Sequence, residues 1–218
     1  MKSIFENWIT YKAFDLSKYL ASFVVAVTAI GLTIGTVNAA LTVGETAPAL
    51  QLRDTQGRAV NLADFRGKTV VIEWFNPNCP FVQKHYGSNN MQSLQNKYAR
   101  QGVAWLVVNS TNPSHQDYLE PSKLSERFSQ LKGHATAVLM DADGKAGGAW
   151  GAKTTPHMFI VDPQGKLAYA GGIDDKRSSN PEDIKNAKNY VAVALDQLKA
   201  GKPVAENNTR PYGCSVKY

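Results

Sequence analysis

The chain has 218 residues, of which 43% are apolar and 19% charged, a composition with enough core material for one globular domain of ordinary size. Its formal net charge is +6, but the basic residues are scattered rather than gathered into one run, which excludes nucleic acid as a partner class. Only two cysteines occur, Cys79 and Cys214.

At the N-terminus, Lys2, Lys12 and Lys18 precede an uncharged stretch over residues 19–37 that ends in Val37-Asn38-Ala39, small residues at the spacing a signal peptidase reads. Residues 1–39 are thus expected to be a secretory signal. The stretch is also long enough to span a bilayer, and Glu6 and Asp15 are unusual in a basic leader, so an uncleaved anchor through residues 19–37 is the alternative. Either way the lysines stay inside and a domain over residues 40–218 is exported to the periplasm or another extracytoplasmic space, tethered if the segment is retained.

Strand and helix signals then alternate. Residues 50–53 and 59–62 flank Asp54-Thr55-Gln56-Gly57 and predict a β-hairpin. Residues 69–75 predict a buried strand. One helix is expected to begin at Cys79, with Met91, Leu94 and Tyr98 on its apolar face, and residues 103–108 form the next strand of a βαβ unit, making the sheet at least partly parallel. Pro121 opens a helix that places Leu124, Phe128 and Leu131 on one face, and a strand follows over 136–140. Asp141-Ala142-Asp143-Gly144 reads as a turn too poor in oxygen ligands to bind calcium. Residues 157–161 and 167–170 form a second strand pair around Asp162-Pro163-Gln164-Gly165. Ala187, Tyr190, Val191, Ala194, Leu195 and Leu198 mark a C-terminal helix ending near Gly201. Beyond it Pro203, Pro211 and Gly213 break all periodicity, so Cys214 lies on a mobile or strapped tail.

The chemistry is expected at Cys79. A buried strand ends, the chain turns through Asn76-Pro77-Asn78, and the thiol is delivered to a helix start, where free N–H groups and the helix dipole favour an anion. Glu73, in a strand of apolar neighbours, is expected to be desolvated and therefore able to exchange a proton near neutral pH. Both cysteines fall in the exported part, where disulfides persist, and an even count there suggests that they pair.

These features together resemble the thioredoxin superfamily. Three separated elements agree: the strand, turn and helix-start cysteine; Glu73, six residues earlier, matching the buried acid that accepts and returns the thiol proton; and Thr154-Thr155-Pro156-His157, similar to the segment whose cis-proline faces the catalytic cysteine. Within the superfamily the chain is most similar to the peroxiredoxin-like, AhpC/TSA-type redoxin group, from Gly44-Glu45-Thr46-Ala47-Pro48 to the terminal Pro211-Tyr212-Gly213-Cys214. The resemblance implies an α/β, thioredoxin-like fold: a central mixed sheet flanked by helices, with an N-terminal hairpin and a C-terminal tail. It also implies a thiol oxidoreductase or antioxidant, here expected to be exported through its N-terminal segment and to use no cofactor. Cys79, Cys214 and Glu73 would be the catalytic groups, supported by Asn76, Pro80, Thr155 and Pro156.

Two departures bear on mechanism. Val82 stands where a CxxC motif would carry its second cysteine, which removes the local disulfide. Asn76 and Ile72 stand where true peroxiredoxins carry threonine and proline, which weakens the case for peroxidase activity, although Asn76 retains a donor. The expected mechanism is attack by Cys79 on a peroxide or disulfide, resolution by Cys214 swinging in, and reset by an external thiol reductant. Two alternatives stand beside it. One is a copper-type metal carrier using Cys79, Cys214 and His157, with His85 about 120° around the helix from Cys79 and less suited. The other is a non-catalytic interaction module with a structural disulfide and Trp74, Trp105 and Trp150 as core aromatics.

Overall fold

A computed structural model describes residues 41–218. The leader or anchor assigned to residues 1–39 lies outside the described residues, and among the described residues no helix is long and apolar enough to cross a membrane.

A seven-stranded mixed sheet runs in the order β2-β1-β5-β4-β3-β7-β8. Its first hairpin joins β1 (Gln51–Asp54) and β2 (Ala59–Asn61). The centre is β3 (Val70–Trp74), parallel to β4 (Ala104–Asn109), which is parallel to β5 (Ala137–Met140). Antiparallel partners close both sides: β1 on β5, and β7 (His157–Val161) on β3, followed by β8 (Leu167–Gly171). The β-branched run Val70-Val71-Ile72 suits a strand buried on both faces, and all five residues of β3 are buried.

Alternation along the strands creates two cores. Val71, Phe75, Trp105, Val107, Met158, Ile160 and Tyr169 pack under α1 (Pro80–Gly87), α2 (Asn90–Ala99), α3 (Pro121–Gln130) and α5 (Tyr190–Lys199). Val70, Ile72, Trp74, Leu106, Val108 and Phe159 face the other way, against Leu50 and Trp150 of α4 (Lys145–Trp150).

Three departures from the sequence expectation have local causes. The helix expected after Cys79 is two helices, because Gly87-Ser88-Asn89 interrupts it and Asn89 adopts a left-handed conformation with φ of 60°. Asp141, expected only in a turn, opens α4 by accepting the N–H groups of Ala146 (3.0 Å) and Gly147 (2.8 Å), in a segment whose Gly147 and Gly148 hide the helical pattern. Ala187 ends a 3-10 turn (Pro181–Asn186) rather than starting a helix; α5 begins at Tyr190, where the Asn189 side chain accepts the Ala192 N–H at 2.9 Å.

The tail is strapped, not loose. A two-residue strand, β9 (Cys214–Ser215), pairs antiparallel with β6 (Thr154–Thr155), Cys214 opposite Thr155 and Ser215 opposite Thr154.

Candidate functional site

Cys79 is the N-cap residue of α1 and has an extended backbone, with Pro80 in the first helical turn, where its missing N–H costs nothing. The approach is a tight turn: the Cys79 N–H donates to Asn76 O at 3.1 Å and the Asn78 N–H to Asn76 Oδ1 at 2.8 Å. Cys79 is only 2% exposed. Its Sγ lies 3.0 Å from the Thr155 carbonyl oxygen, to which the thiol donates, and 2.8 Å from Cys214 Sγ. The Thr155–Pro156 peptide bond is cis, as the resemblance implied. Two cysteines 135 positions apart in sequence therefore meet at one helix start, both unbonded.

Cys214 is half-buried. Burial and the neighbouring Cys79 sulfur push its thiol up to about 12, so it holds its proton at neutral pH and has Cys79 Sγ as an acceptor. Cys214 has no distance to travel: the ladder with β6 already sets it in place, so the swing expected from a mobile tail is replaced by a fixed contact.

Glu73 projects from β3 into the helix-covered core and is fully buried. Tyr86 OH donates to Oε1 at 3.0 Å, while Trp105 Nε1 and Gln95 Nε2 donate to Oε2 at 2.9 and 3.4 Å. Burial raises its pKa from 4.5 to about 7, with the three donors pulling the other way. A carboxyl group at that value can take up or release a proton near neutral pH. The donors themselves were not foreseen: Trp105 is more than a core aromatic, and Tyr86 and Gln95 come from α1 and α2.

Asn76, expected to support the site, shapes the turn that leads into Cys79. Its amide donates to Asp117 Oδ2 at 3.2 Å rather than to sulfur, and Asn78 Nδ2 reaches the other carboxylate oxygen at 3.3 Å. Neither sulfur has an arginine hydrogen-bond partner among the described residues.

The metal-ligand set fails to assemble. Among the described residues no group of three or more His, Cys, Asp or Glu side chains is placed to hold an ion. His157 Nδ1 accepts the Lys153 N–H at 3.2 Å, its ring packs 4.3 Å from Phe159, and burial holds it neutral with its pKa down to about 3. His85 is committed to a buried polar knot. Its Nε2 lies 3.1 Å from Tyr212 OH and its Nδ1 2.8 Å from Asn90 Nδ2. Tyr212 OH donates to Asp174 Oδ1 at 2.5 Å, and Lys84 Nζ sits 3.7 Å from Asp174 Oδ2 with both side chains essentially closed to solvent. This knot joins α1 to the tail two residues before Cys214.

Comparison with known proteins agrees with this arrangement. Residues 43–170 match the AhpC/TSA family. The chain is 32% identical to the thiol-disulfide oxidoreductase ResA of Geobacillus thermodenitrificans over 64% of its own length and 76% of the relative's. It is 29% identical to peroxiredoxin Bcp of Escherichia coli over 66% and 92%. A crystal structure of an uncharacterized conserved protein from Geobacillus kaustophilus superposes with a TM-score of 0.70 at 28% identity, covering 82% of this chain and 93% of that one. A helix-start cysteine on a mixed thioredoxin-like sheet, with a match spanning more than half the sequence, leads to one conclusion: this chain belongs to the AhpC/TSA family.

Proposed function

We propose that the protein is an exported thiol oxidoreductase in which Cys79 is the nucleophile, Cys214 the resolving thiol and Glu73 the proton acceptor. The observation that carries the reading is the 2.8 Å approach of the two sulfurs at a helix start. Family membership supports thiol redox chemistry, and the pairing supports a cycle with a distant disulfide instead of a CxxC. With hydrogen peroxide as oxidant, the Cys79 thiolate attacks one oxygen, the O–O bond breaks, and hydroxide leaves to take up a proton. Cys214 then attacks the sulfenic sulfur, water departs, and a Cys79–Cys214 disulfide remains. An external thiol reductant returns both sulfurs to thiols.

Between the two substrate classes suggested by the relatives, the burial of Cys79 beneath the tail favours a small oxidant over a protein disulfide as the species that reaches it. Export rests on the uncharged stretch 19–37 and on Val37-Asn38-Ala39; N-terminal sequencing of the protein recovered from a fractionated host tests it, with cleavage after Ala39 expected for a signal and a full-length membrane-bound chain for an anchor.

Intact mass analysis before and after one equivalent of peroxide tests the chemistry. Wild type is expected to lose two hydrogens, a loss reversed by a thiol reductant. The Cys214→Ser protein should instead accumulate sulfenate on Cys79. If it carries no more sulfenate than wild type, Cys214 is not a resolving thiol. A disulfide that forms but resists every thiol reductant under native conditions would favour the non-catalytic module.

A further inference from the structure

His157 is a buried polar side chain that the thiol site leaves unused. It has the strand parity of Phe159 on β7, so it faces the core that holds Trp150, on the opposite side of the sheet from Cys79. Its Nδ1 accepts the Lys153 N–H and the ring stays neutral, which places the ring proton on Nε2. The residue is only 5% exposed, yet that N–H has no protein partner among the described residues. Leaving a buried donor unpaired is costly, so its acceptor has to come from water or a ligand.

Such an acceptor has a place to sit. Beside the ring lies a cavity of about 310 Å³, floored by the buried Trp150 and Phe159 rings, which meet edge to face with centroids 5.4 Å apart. Phe159 also holds the His157 ring at 4.3 Å, so floor and donor are fixed relative to each other. Nε2 opens into this space and not into the sealed core. Exposed Lys153 stands at the rim without an ion-pair partner among the described residues, near enough for its charge to act on the His157 ring. The opposite wall is the tail itself, through Asn208, Thr209 and Pro211, so the cavity is complete only with the tail in place. At ~30 Å³ for each water-sized unit it has room for about ten non-hydrogen atoms.

We infer that this cavity is a binding site for a small aromatic monocarboxylate, with one oxygen on the His157 Nε2–H, the other toward the Lys153 ammonium, and the ring packed on Trp150 and Phe159. One N–H and one ammonium match the two oxygens of a single carboxylate. A phosphate would bring a third oxygen for which the wall offers no further cation. An aromatic body suits the floor because Trp150 and Phe159 present ring faces and edges to it. The site binds without making or breaking a bond, and it does not depend on the thiol cycle proposed above.

Titration calorimetry of phenylacetate into the full, reduced chain tests this, with phenylacetamide as a neutral comparator of the same shape. Phenylacetate is expected to bind at least ~10-fold more tightly than phenylacetamide, because only the acid makes charge-assisted contacts. Lys153→Gln, a surface change that keeps the backbone contacts of the residue, should weaken phenylacetate by ~5-fold and leave phenylacetamide unmoved. His157→Phe keeps a ring against Phe159 but removes the N–H, and should weaken phenylacetate by at least ~10-fold. Ala170→Leu, which pushes a larger side chain into the cavity from β8 opposite Phe159, should abolish binding of both compounds. No binding to wild type, equal affinity for acid and amide, or binding that survives Ala170→Leu overturns the inference, and each of these results leaves the thiol cycle standing.

Discussion

Glu73→Gln isolates the energetic cost of the buried acid. Glutamine is nearly isosteric with the neutral carboxylic acid and keeps the local bonding: its oxygen can accept from Trp105 and Gln95 while its amide donates to the Tyr86 oxygen. Burial lifts the folded-state value from 4.5 to about 7. Between those two values the folded protein holds a proton that the unfolded chain has already released. The contribution of Glu73 to stability is therefore fully present below about pH 4.5, falls as pH rises, and is gone once pH passes the folded value of about 7. At ~1.36 kcal/mol per pH unit the interval is worth about 3 kcal/mol.

Urea denaturation of wild type and Glu73→Gln across pH 4 to 8 measures this directly, because every other titrating group cancels in the difference between the two proteins. The difference should be small near pH 4.5 and should grow to about 3 kcal/mol in favour of the glutamine variant by pH 8. A difference that stays flat across that range would refute a desolvated, proton-exchanging Glu73. Loss of the proton acceptor should at the same time slow the reaction of Cys79 with peroxide in the more stable variant, an opposition of stability and activity expected of a group kept for chemistry.

Trp105→Phe removes one donor to the carboxylate at a cost of about 1.5–3 kcal/mol to the charged form, which should move the Glu73 transition upward by roughly one to two pH units in the same denaturation series; an unmoved transition would remove Trp105 from the relay. Gly213→Ala places a methyl group against the Thr155 carbonyl at a residue with φ of 144°, so the variant should lose about 1–3 kcal/mol and close its disulfide more slowly after one equivalent of peroxide, read by intact mass. Lys84→Met leaves Asp174 buried without its cation and should cost about 3–5 kcal/mol, whereas the double variant with Asp174→Leu should recover most of that loss; an equal loss in both would show that the pair is not coupled.

Much of the framework was legible because its signals are local. Val70–Trp74 is β-branched and apolar on both faces, Pro121 opens its helix, and each hairpin carries a Pro/Gly or Asp/Gly turn. Glu73 stood out because a carboxyl group surrounded by apolar strand residues demands an explanation. Its donors were hidden because they depend on register: parallel pairing sets Val71 opposite Trp105, which brings the indole to the face that Glu73 shares. Nothing local in the sequence marks Lys84, and His85 stood out only as a poorly placed metal-ligand candidate; the arrival of Asp174 and Tyr212 is what buries both. The docking of Cys214 rests on two strands of two residues each, lengths at which no periodicity exists.

Because Val82 fills the place of a neighbouring cysteine, the disulfide proposed between Cys79 and Cys214 would close through tertiary structure and so link redox state to folding stability. A bridge across 135 positions removes about 5 kcal/mol of chain entropy from the unfolded state. The oxidised protein should therefore melt about 10–20 °C above the reduced one. The same free energy read in the other direction says that the folded protein holds the bond against a reductant more firmly than the unfolded chain does, and each anchor of the tail contributes to that grip. The loop-entropy part of this coupling is much smaller for a thioredoxin-type CxxC, because so short a loop is already easily closed in the unfolded chain. Calorimetry of the fully oxidised and fully reduced chains decides the matter: coincident melting temperatures would mean that the tail is docked no more tightly with the bond than without it, and that the two sulfurs meet only in passing.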